Sequence, residues 1–402
     1  PGLYITGLGE QYPKHKWTQD DYDREKHPLT KASVQKLLAI NRLTGIKTRS
    51  SVHPPSYFLT ESIENPPTID HYGRVYKQHG IPLAIGACRK ALLDAGLRPE
   101  DVTHIVAVTC TTSSNAGFDL YVAQALGLPS SIDRVLLHGV GCAGGLSAVR
   151  TAANIAAGAT SRGKPARVLV FAIELCTIFL TAELARACDE KQAEADLSIG
   201  STIFSDGAGA LVLCNDIARQ EDAAGGERGD AGKTVYELLD WGNDVLDKSL
   251  GEMSFEVDPH GFKLTLSKLV PAKAIAAIQP IFSRLRHSFT STSPSPSSTS
   301  SPTSCQASPS PSPSPPPLLP SDCDWALHPG GITILKGAQS ALQLTPHHLR
   351  ASWDVYQNHG NSSSATVLVV LNRLRRMGEG RKDVAAVSFG PGLSVEMVTM
   401  RR

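Results

Sequence analysis

The stretch RVLVFAIEL at 167–175 limits the fold more than any other part of the chain. Its apolar residues occupy both odd and even positions, and a strand with a period of two then buries both of its faces. Such a strand belongs in the middle of a sheet with helices on each side. HIVAVT at 104–109, RVLLHG at 134–139 and GALVLCN at 209–215 read the same way. Between them lie helical periods: PLAIGACRKALLDAG at 82–96, ending on Gly96, then DLYVAQALG, then AGGLSAVRTAANIAAG. Short β-branched runs alternating with longer helical ones predict an α/β fold. The opening PGLYITGLGEQYP reads as a first core strand and a loop rather than a signal peptide. Lacking Met, it is expected to follow a few trimmed residues.

A chain of 402 residues is long enough for one large domain or two fused ones. The net charge of +1 gives no pull toward nucleic acid or another polyanion. No stretch approaches the roughly 18 apolar residues that cross a bilayer. The eight cysteines are Cys88, Cys110, Cys142, Cys176, Cys188, Cys214, Cys305 and Cys323. None shows CxxC spacing, so neither a metal site nor a redox motif is expected. Most sit in apolar runs such as AIGACRKALL, where free cysteine is a small buried hydrophobe. A reducing, cytoplasmic compartment follows as the default.

The chain divides into two similar halves, 1–215 and 234–402, joined by DIARQEDAAGGERGDAGK at 216–233, read as an exposed link. A glycine turn opens an apolar helix at GCAGGLSAVRTA and again at GNSSSATVLVVL, and SDGAGALVL is echoed by FGPGLSVEMV. Two copies of one α/β unit account for both echoes. Residues 288–317, SFTSTSPSPSSTSSPTSCQASPSPSPSPPP, carry no charge and almost nothing apolar. Such a tract cannot bury enough surface to offset its ordering entropy, so it reads as a disordered insertion between the helix PAKAIAAIQPIFSRL and the strand DWALH.

Three residues stand where chemistry is done. Cys142 in HGVGCAGGLSAVR follows a strand, is flanked by glycines and starts a helix, whose N-terminus favours a thiolate. A small residue packed where strand meets helix gives the same pattern. His328 ends the strand of DWALHPGG ahead of a Pro-Gly-Gly loop that can aim it into a cleft. A lone histidine is as readily structural or exposed. Asn361 in NHGNSSSAT precedes an apolar helix, where asparagine also serves as an N-cap. Together the three suit acyl transfer with decarboxylative condensation. The thiolate carries an acyl group as a thioester, and the other two donate to the enolate oxygen left when carbon dioxide departs. An imidazolium beside the sulfur is expected to keep it ionised.

GCAGG around Cys142, HPGG around His328, GNSSSA around Asn361 and the near-terminal FGPGL resemble the type III polyketide synthases, the chalcone and stilbene synthase family of the thiolase superfamily. The resemblance spans nearly the whole chain apart from 216–233 and the Ser/Pro tract. His328 and Asn361 lie 33 residues apart, as in that family, and the insertion accounts for the longer Cys142–His328 interval. Residue by residue, it implies that Phe204 is the family's gatekeeper phenylalanine, although an aromatic there also reads as core. Leu264 stands where a second gatekeeper is expected, and Ser363 matches a cavity serine. Lys36 matches a basic residue that contacts CoA phosphates. Ala39 and Leu43 replace others, for which Arg42, Lys47 and Arg49 can substitute; a solvated helix face is the plainer reading of these. Cys176 and Phe179 replace cavity threonines of the plant enzymes, and SSNAGFD differs from their dimer-crossing loop. These departures look like the fungal branch, which makes alkylpyrones and alkylresorcylic acids from long-chain acyl-CoA.

The resemblance thus implies an αβαβα layered fold of two similar halves and a homodimer. Its substrates are acyl-CoA and malonyl-CoA, with no metal and no cofactor beyond these CoA thioesters. Two other readings carry the same residues: a ketoacyl-ACP synthase III making one condensation, and a catalytically silent thiolase-fold binding protein.

Overall fold

The computed structural model describes residues 2–24, 32–57, 64–188, 199–224, 233–289, 318–378 and 380–402. Residues 290–317 of the Ser/Pro tract, Cys305 among them, lie outside these. Among the described residues there are thirteen strands. The first seven are β1 (Leu3–Gln11), β2 (His15–Thr18), β3 (Thr48–Ser51), β4 (His104–Val108), β5 (Asp133–Leu137), β6 (Arg167–Leu175) and β7 (Asp206–Asn215). The remainder are β8 (Tyr236–Val245), β9 (Met253–Asp258), β10 (Gly261–Leu266), β11 (Cys323–Leu327), β12 (Asp383–Gly390) and β13 (Ser394–Arg401). The helices that shape the site are α1 (Ala32–Leu43), α2 (Ile81–Asp94), α3 (Gly144–Ser161), α4 (Val270–Leu285), α5 (Arg350–His359) and α6 (Ala365–Arg375).

Nine strands form one sheet in the order β11-β12-β13-β8-β1-β7-β6-β4-β5. Outward from the centre, β1-β7-β6-β4 repeats β8-β13-β12-β11. Each set runs antiparallel, antiparallel, then parallel. The sets meet where β1 pairs with β8 in antiparallel register, Leu3 opposite Leu238 and Ile5 opposite Tyr236. The two echoes seen in the sequence fall on equivalent elements, α3 with α6 and β7 with β13.

Strand parity divides the apolar side chains into layers. Val106, Val168 and Val170 point inward with Val384, Ala386 and Val398, and all six pack with α3 and α6 in one core. Their neighbours Ile105, Leu169 and Phe171 face outward onto Ala84, Ala87 and Ala91 of α2. On the other half, Trp325, Ala385 and Val387 face Ala274, Ile278 and Ile281 of α4. Five layers result, helix, sheet, paired helices, sheet, helix. α6 is apolar almost all round because it lies between two sheets, and every residue from Ala365 to Asn372 is buried.

α3 and α6 touch backbone to backbone. A Cβ placed on Gly145 would lie 2.4 Å from the Ser364 carbonyl oxygen and 2.6 Å from Val367 Cγ1. Only glycine allows this approach. The stretch read as an exposed link is corrected in part: Asp216–Ala224 is helical, with Ala218 and Asp222 buried. Asn215 Oδ1 accepts from Ala218 N at 3.0 Å, and Asp222 takes the guanidinium of Arg167 at the start of β6. A buried arginine on β6 supplied the partner that composition did not reveal. Residues 225–232 lie outside the described ones.

Gly145→Ala should lower stability by about 1–3 kcal/mol through overpacking, read as an earlier midpoint in chemical denaturation. An unchanged midpoint would mean that the two helices can move apart freely.

Candidate active site

Cys142 sits in a single 3-10 turn, Gly141–Ala143, between β5 and α3. Gly141 has φ +47°, and a Cβ there would stand 2.4 Å from Cδ of Pro391, so the GPGL loop after β12 packs on the Cys142 turn. His328 follows β11, its N–H donating to the Val387 carbonyl at 2.8 Å. A Cβ on Gly330 would lie 3.6 Å from His328 Nε2, so glycine keeps the space beside that nitrogen open.

Asn361 follows Gly360, whose φ is +77°. Its backbone is pinned on both sides: Asn361 N donates to Ile203 O at 3.0 Å and Ser205 N donates to Asn361 O at 2.9 Å. These two bonds flank Phe204, which forms a parallel bridge with Asn361. Asn361 Oδ1 accepts from Ser363 N at 2.8 Å and from Thr366 Oγ1 at 3.3 Å, in the manner of an N-cap. With the oxygen so occupied, the Nδ2 amide is the side chain's remaining donor. The oxygen is thus held by the turn ahead of α6, whose N-cap residue is Ser364.

Cys142, His328, Asn361 and Ser363 border one cavity of ≈ 260 Å³, together with Phe204, Cys176, Phe179 and Leu264. Leu264 comes from the β9–β10 hairpin, whose Met253, Phe255 and Leu266 also face the space. Phe179 is held edge-on by Tyr72, Phe255 and Phe262, at ring-centroid distances of 5.0, 6.2 and 5.4 Å. Lys36, Arg42 and Lys47 are exposed, on and just after α1, and the adjacent Leu43 lines the cavity. Arg49 is different. It is buried in the wall, with Nη1 on the carbonyls of Ser201 and Phe204 and its guanidinium 5.8 Å over the Trp17 ring. It therefore braces the Phe204 turn and does not stand on the solvated face expected of it.

Burial sets the charge states. Neither ring nitrogen of His328 meets a hydrogen-bond partner among the described residues. Desolvation lowers its pKa to about 4. Desolvation also pushes the Cys142 thiol up to about 12, against a smaller lowering by the Ser363 hydroxyl 3.2 Å from the sulfur. Both shifts run against the expected imidazolium–thiolate pair and toward a neutral imidazole and a neutral thiol. The apolar enclosure outweighs the helix N-terminus.

Two residues of the site escaped the sequence reading. Cys110, taken there as one of the bland cysteines, lines the cavity with its sulfur 3.4 Å from Ser363 Oγ. Glu174 is fully buried behind it. Its carboxylate accepts from Cys110 N at 3.0 Å, Thr111 Oγ1 at 2.8 Å, Thr109 Oγ1 at 3.2 Å and the Ser364 hydroxyl. A lone acid inside the apolar run 167–175 was the available signal.

Two mirrored half-sheets around paired helices, with the cysteine turn on one half and His and Asn on the other, define the thiolase-type fold. Two family descriptions match: chalcone and stilbene synthases, N-terminal domain, over residues 5–217, and the C-terminal domain over 321–402. The type III polyketide synthase pspB of Penicillium soppii is 43% identical over 406 residues, covering 100% of this chain and 96% of that protein. The acylalkylpyrone synthase csyB of Aspergillus oryzae is 32% identical, covering 99% and 94%. The structure of CsyB complexed with CoA-SH aligns with a TM-score of 0.85 over 100% of both chains at 30% identity. That of a type III pentaketide synthase from Neurospora crassa aligns with a TM-score of 0.86 over 100% of both at 43% identity. The chain belongs to the chalcone and stilbene synthase family and is a type III polyketide synthase, an acyltransferase. No helix among the described residues is long and apolar enough to cross a membrane.

With the thiol protonated at neutral pH, iodoacetamide labelling of Cys142 should quicken about tenfold per pH unit from about pH 6 to pH 9. Peptide mass analysis follows it site by site. A rate already level below neutrality would reveal an ion-paired thiolate instead.

Proposed function

We propose that the chain condenses malonyl-CoA repeatedly onto a long-chain acyl-CoA starter and releases an alkylpyrone or an alkylresorcylic acid. The observation that carries this is the convergence of Cys142, His328 and Asn361 on one largely apolar cavity. Lys36, Arg42 and Lys47 lie on the exposed side of Leu43, where the phosphates of CoA would meet them. The pantetheine arm then passes Phe204 toward the sulfur. That csyB is named an acylalkylpyrone synthase supports a lactone product, and the apolar lining supports an alkyl starter. Phe179 and its aromatic neighbours stand where they limit chain growth. The functional unit is a homodimer, as the family resemblance implies.

The steps follow from the neutral resting pair. His328 takes the Cys142 proton as the sulfur attacks the starter thioester. CoA leaves as its thiolate and regains that proton, and the acyl group stays on sulfur. Malonyl-CoA then binds with its thioester oxygen toward His328 and Asn361. Loss of carbon dioxide leaves an enolate, which a neutral imidazole N–H and the Asn361 amide stabilise by donating hydrogen bonds. The enolate carbon attacks the Cys142 thioester, a carbon–carbon bond forms, and the sulfur is released. The lengthened chain, now on CoA, returns to Cys142 until it cyclises. Several extensions, rather than the single one of a ketoacyl-ACP synthase III, fit a cavity that continues past the triad under the β9–β10 hairpin.

Purified protein given malonyl-CoA and acyl-CoA starters of graded length should yield pyrones or resorcylic acids, best with long chains, as read by product mass. Cys142→Ala should abolish them. Asn361→Ala should slow condensation about 10²–10³-fold, the cost of one oxyanion donor. Single-extension ketoacyl products would move the reading to the ketoacyl synthase. Products independent of Cys142 would sink it.

A further inference from the structure

Ser363 lies between two sulfurs. Its hydroxyl oxygen is 3.2 Å from Cys142 Sγ and 3.4 Å from Cys110 Sγ. The two thiols are therefore no farther apart than those contacts laid end to end. Ser363 has the left-handed φ of +45°, and its N–H is fixed on Asn361 Oδ1 at 2.8 Å, so the hydroxyl that both sulfurs touch is itself held. On the other side, Cys110 is anchored through its N–H, 3.0 Å from each oxygen of the buried Glu174 carboxylate. Both cysteines are free thiols and both border the cavity. Cys176 borders it as well, but its sulfur makes no hydrogen bond to Ser363.

We propose that Cys110 is the resolving thiol of Cys142, and that the two close a reversible disulfide when a hydroperoxide enters the cavity. The chemistry balances in two steps. The Cys142 sulfur attacks the hydroperoxide O–O bond, giving Cys142 sulfenic acid and an alcohol, or water when the oxidant is hydrogen peroxide. The Cys110 sulfur then displaces hydroxide from the sulfenic sulfur. The S–S bond forms, and the Cys110 proton leaves with the hydroxide as water. A small dithiol, admitted where bulky thiols are not, reverses the bond by exchange, leaving its own two sulfurs joined and both cysteines as thiols. Without a resolving partner, the sulfenic acid passes to sulfinic acid, which thiols do not reverse.

The enclosure explains why the partner comes from the wall. A small peroxide reaches a sulfur in a cavity of ≈ 260 Å³, while bulky soluble thiols are hindered from following. Because burial holds the Cys142 thiol protonated, its oxidation is slow. The pair accordingly protects the nucleophile over long exposure and does not act as a fast sensor. This rests on Cys142 facing the cavity as the nucleophile, and not on which starter or product the enzyme uses.

The test treats the protein with hydrogen peroxide in the absence of CoA, then blocks free thiols and maps peptides by mass. The expected result is a peptide joining Cys110 to Cys142, lighter than the two free peptides by two hydrogen atoms and split by dithiothreitol. Labelling of Cys142 should return to at least about 80% of its untreated level after reduction, because disulfides are reversible. In Cys110→Ser and Cys110→Ala the crosslink should be missing, and Cys142 should accumulate as sulfinic acid. Wild-type protein in which Cys142 becomes sulfinic acid with no crosslink, or joins Cys176 instead, would overturn the assignment. These readouts need no polyketide product, so they fail or succeed apart from the proposed activity.

Discussion

The contact on which the rest depends is the close crossing of α3 and α6 at Gly145. The Cys142 turn leads into one helix and the Asn361–Ser364 segment leads into the other. A Cβ at Gly145 would meet the Ser364 carbonyl oxygen at 2.4 Å. Helices separated by ordinary side chains stand about 8–10 Å apart. Glycine removes that spacer, and the loops ahead of the two helices close to hydrogen-bond distance, Cys142 sulfur to Ser363 hydroxyl at 3.2 Å. Neither half holds a complete site. The fold's pseudo-symmetry thus places two unlike loops at equivalent positions and lets them do different jobs.

Keeping the wall rigid requires acids in the core, and their cost is met by hydrogen bonds. An ionised carboxylate without partners in such surroundings is costly by several kcal/mol or more, whereas each charge-assisted hydrogen bond returns about 1.5–3 kcal/mol. Glu174 collects donors from Thr109, Cys110, Thr111 and Ser364, tying β6, the loop after β4 and the start of α6 together. Asp206, at the head of β7, takes Val52 N and both donors of Thr177. Burial still raises both carboxyls, Asp206 to about 6. Because that value lies above a free carboxyl's, protonation of Asp206 as pH falls through about 6 relieves a burial cost and does not weaken the fold.

What was legible in the sequence was what period and motif carry. The run 167–175 forms β6 from end to end, and the helix read at 82–96 is Ile81–Asp94. Cys142, His328 and Asn361 meet because each follows a strand or helix end whose register the core dictates. The illegible part is tertiary. Nothing local distinguishes Cys110 from the other buried cysteines, since its relation to Cys142 arises 253 residues away at Ser363. Arg49 looks like a surface cation until β3 carries it inside. The helix rule for thiolates leaves out the opposite pull of burial, because enclosure by residues from both halves cannot be seen around a single motif.

The two backbone bonds that flank Phe204 separate two kinds of change. With Ile203 O and Ser205 N both committed to Asn361, the main chain around Phe204 cannot shift without moving the Asn361 side chain on the same cavity wall. The Phe204 side chain bears no such duty. A change of side-chain size at 204 alters the cavity's shape there and touches neither backbone bond. The shape of the cavity at this position is thus separable from the backbone geometry that holds Asn361.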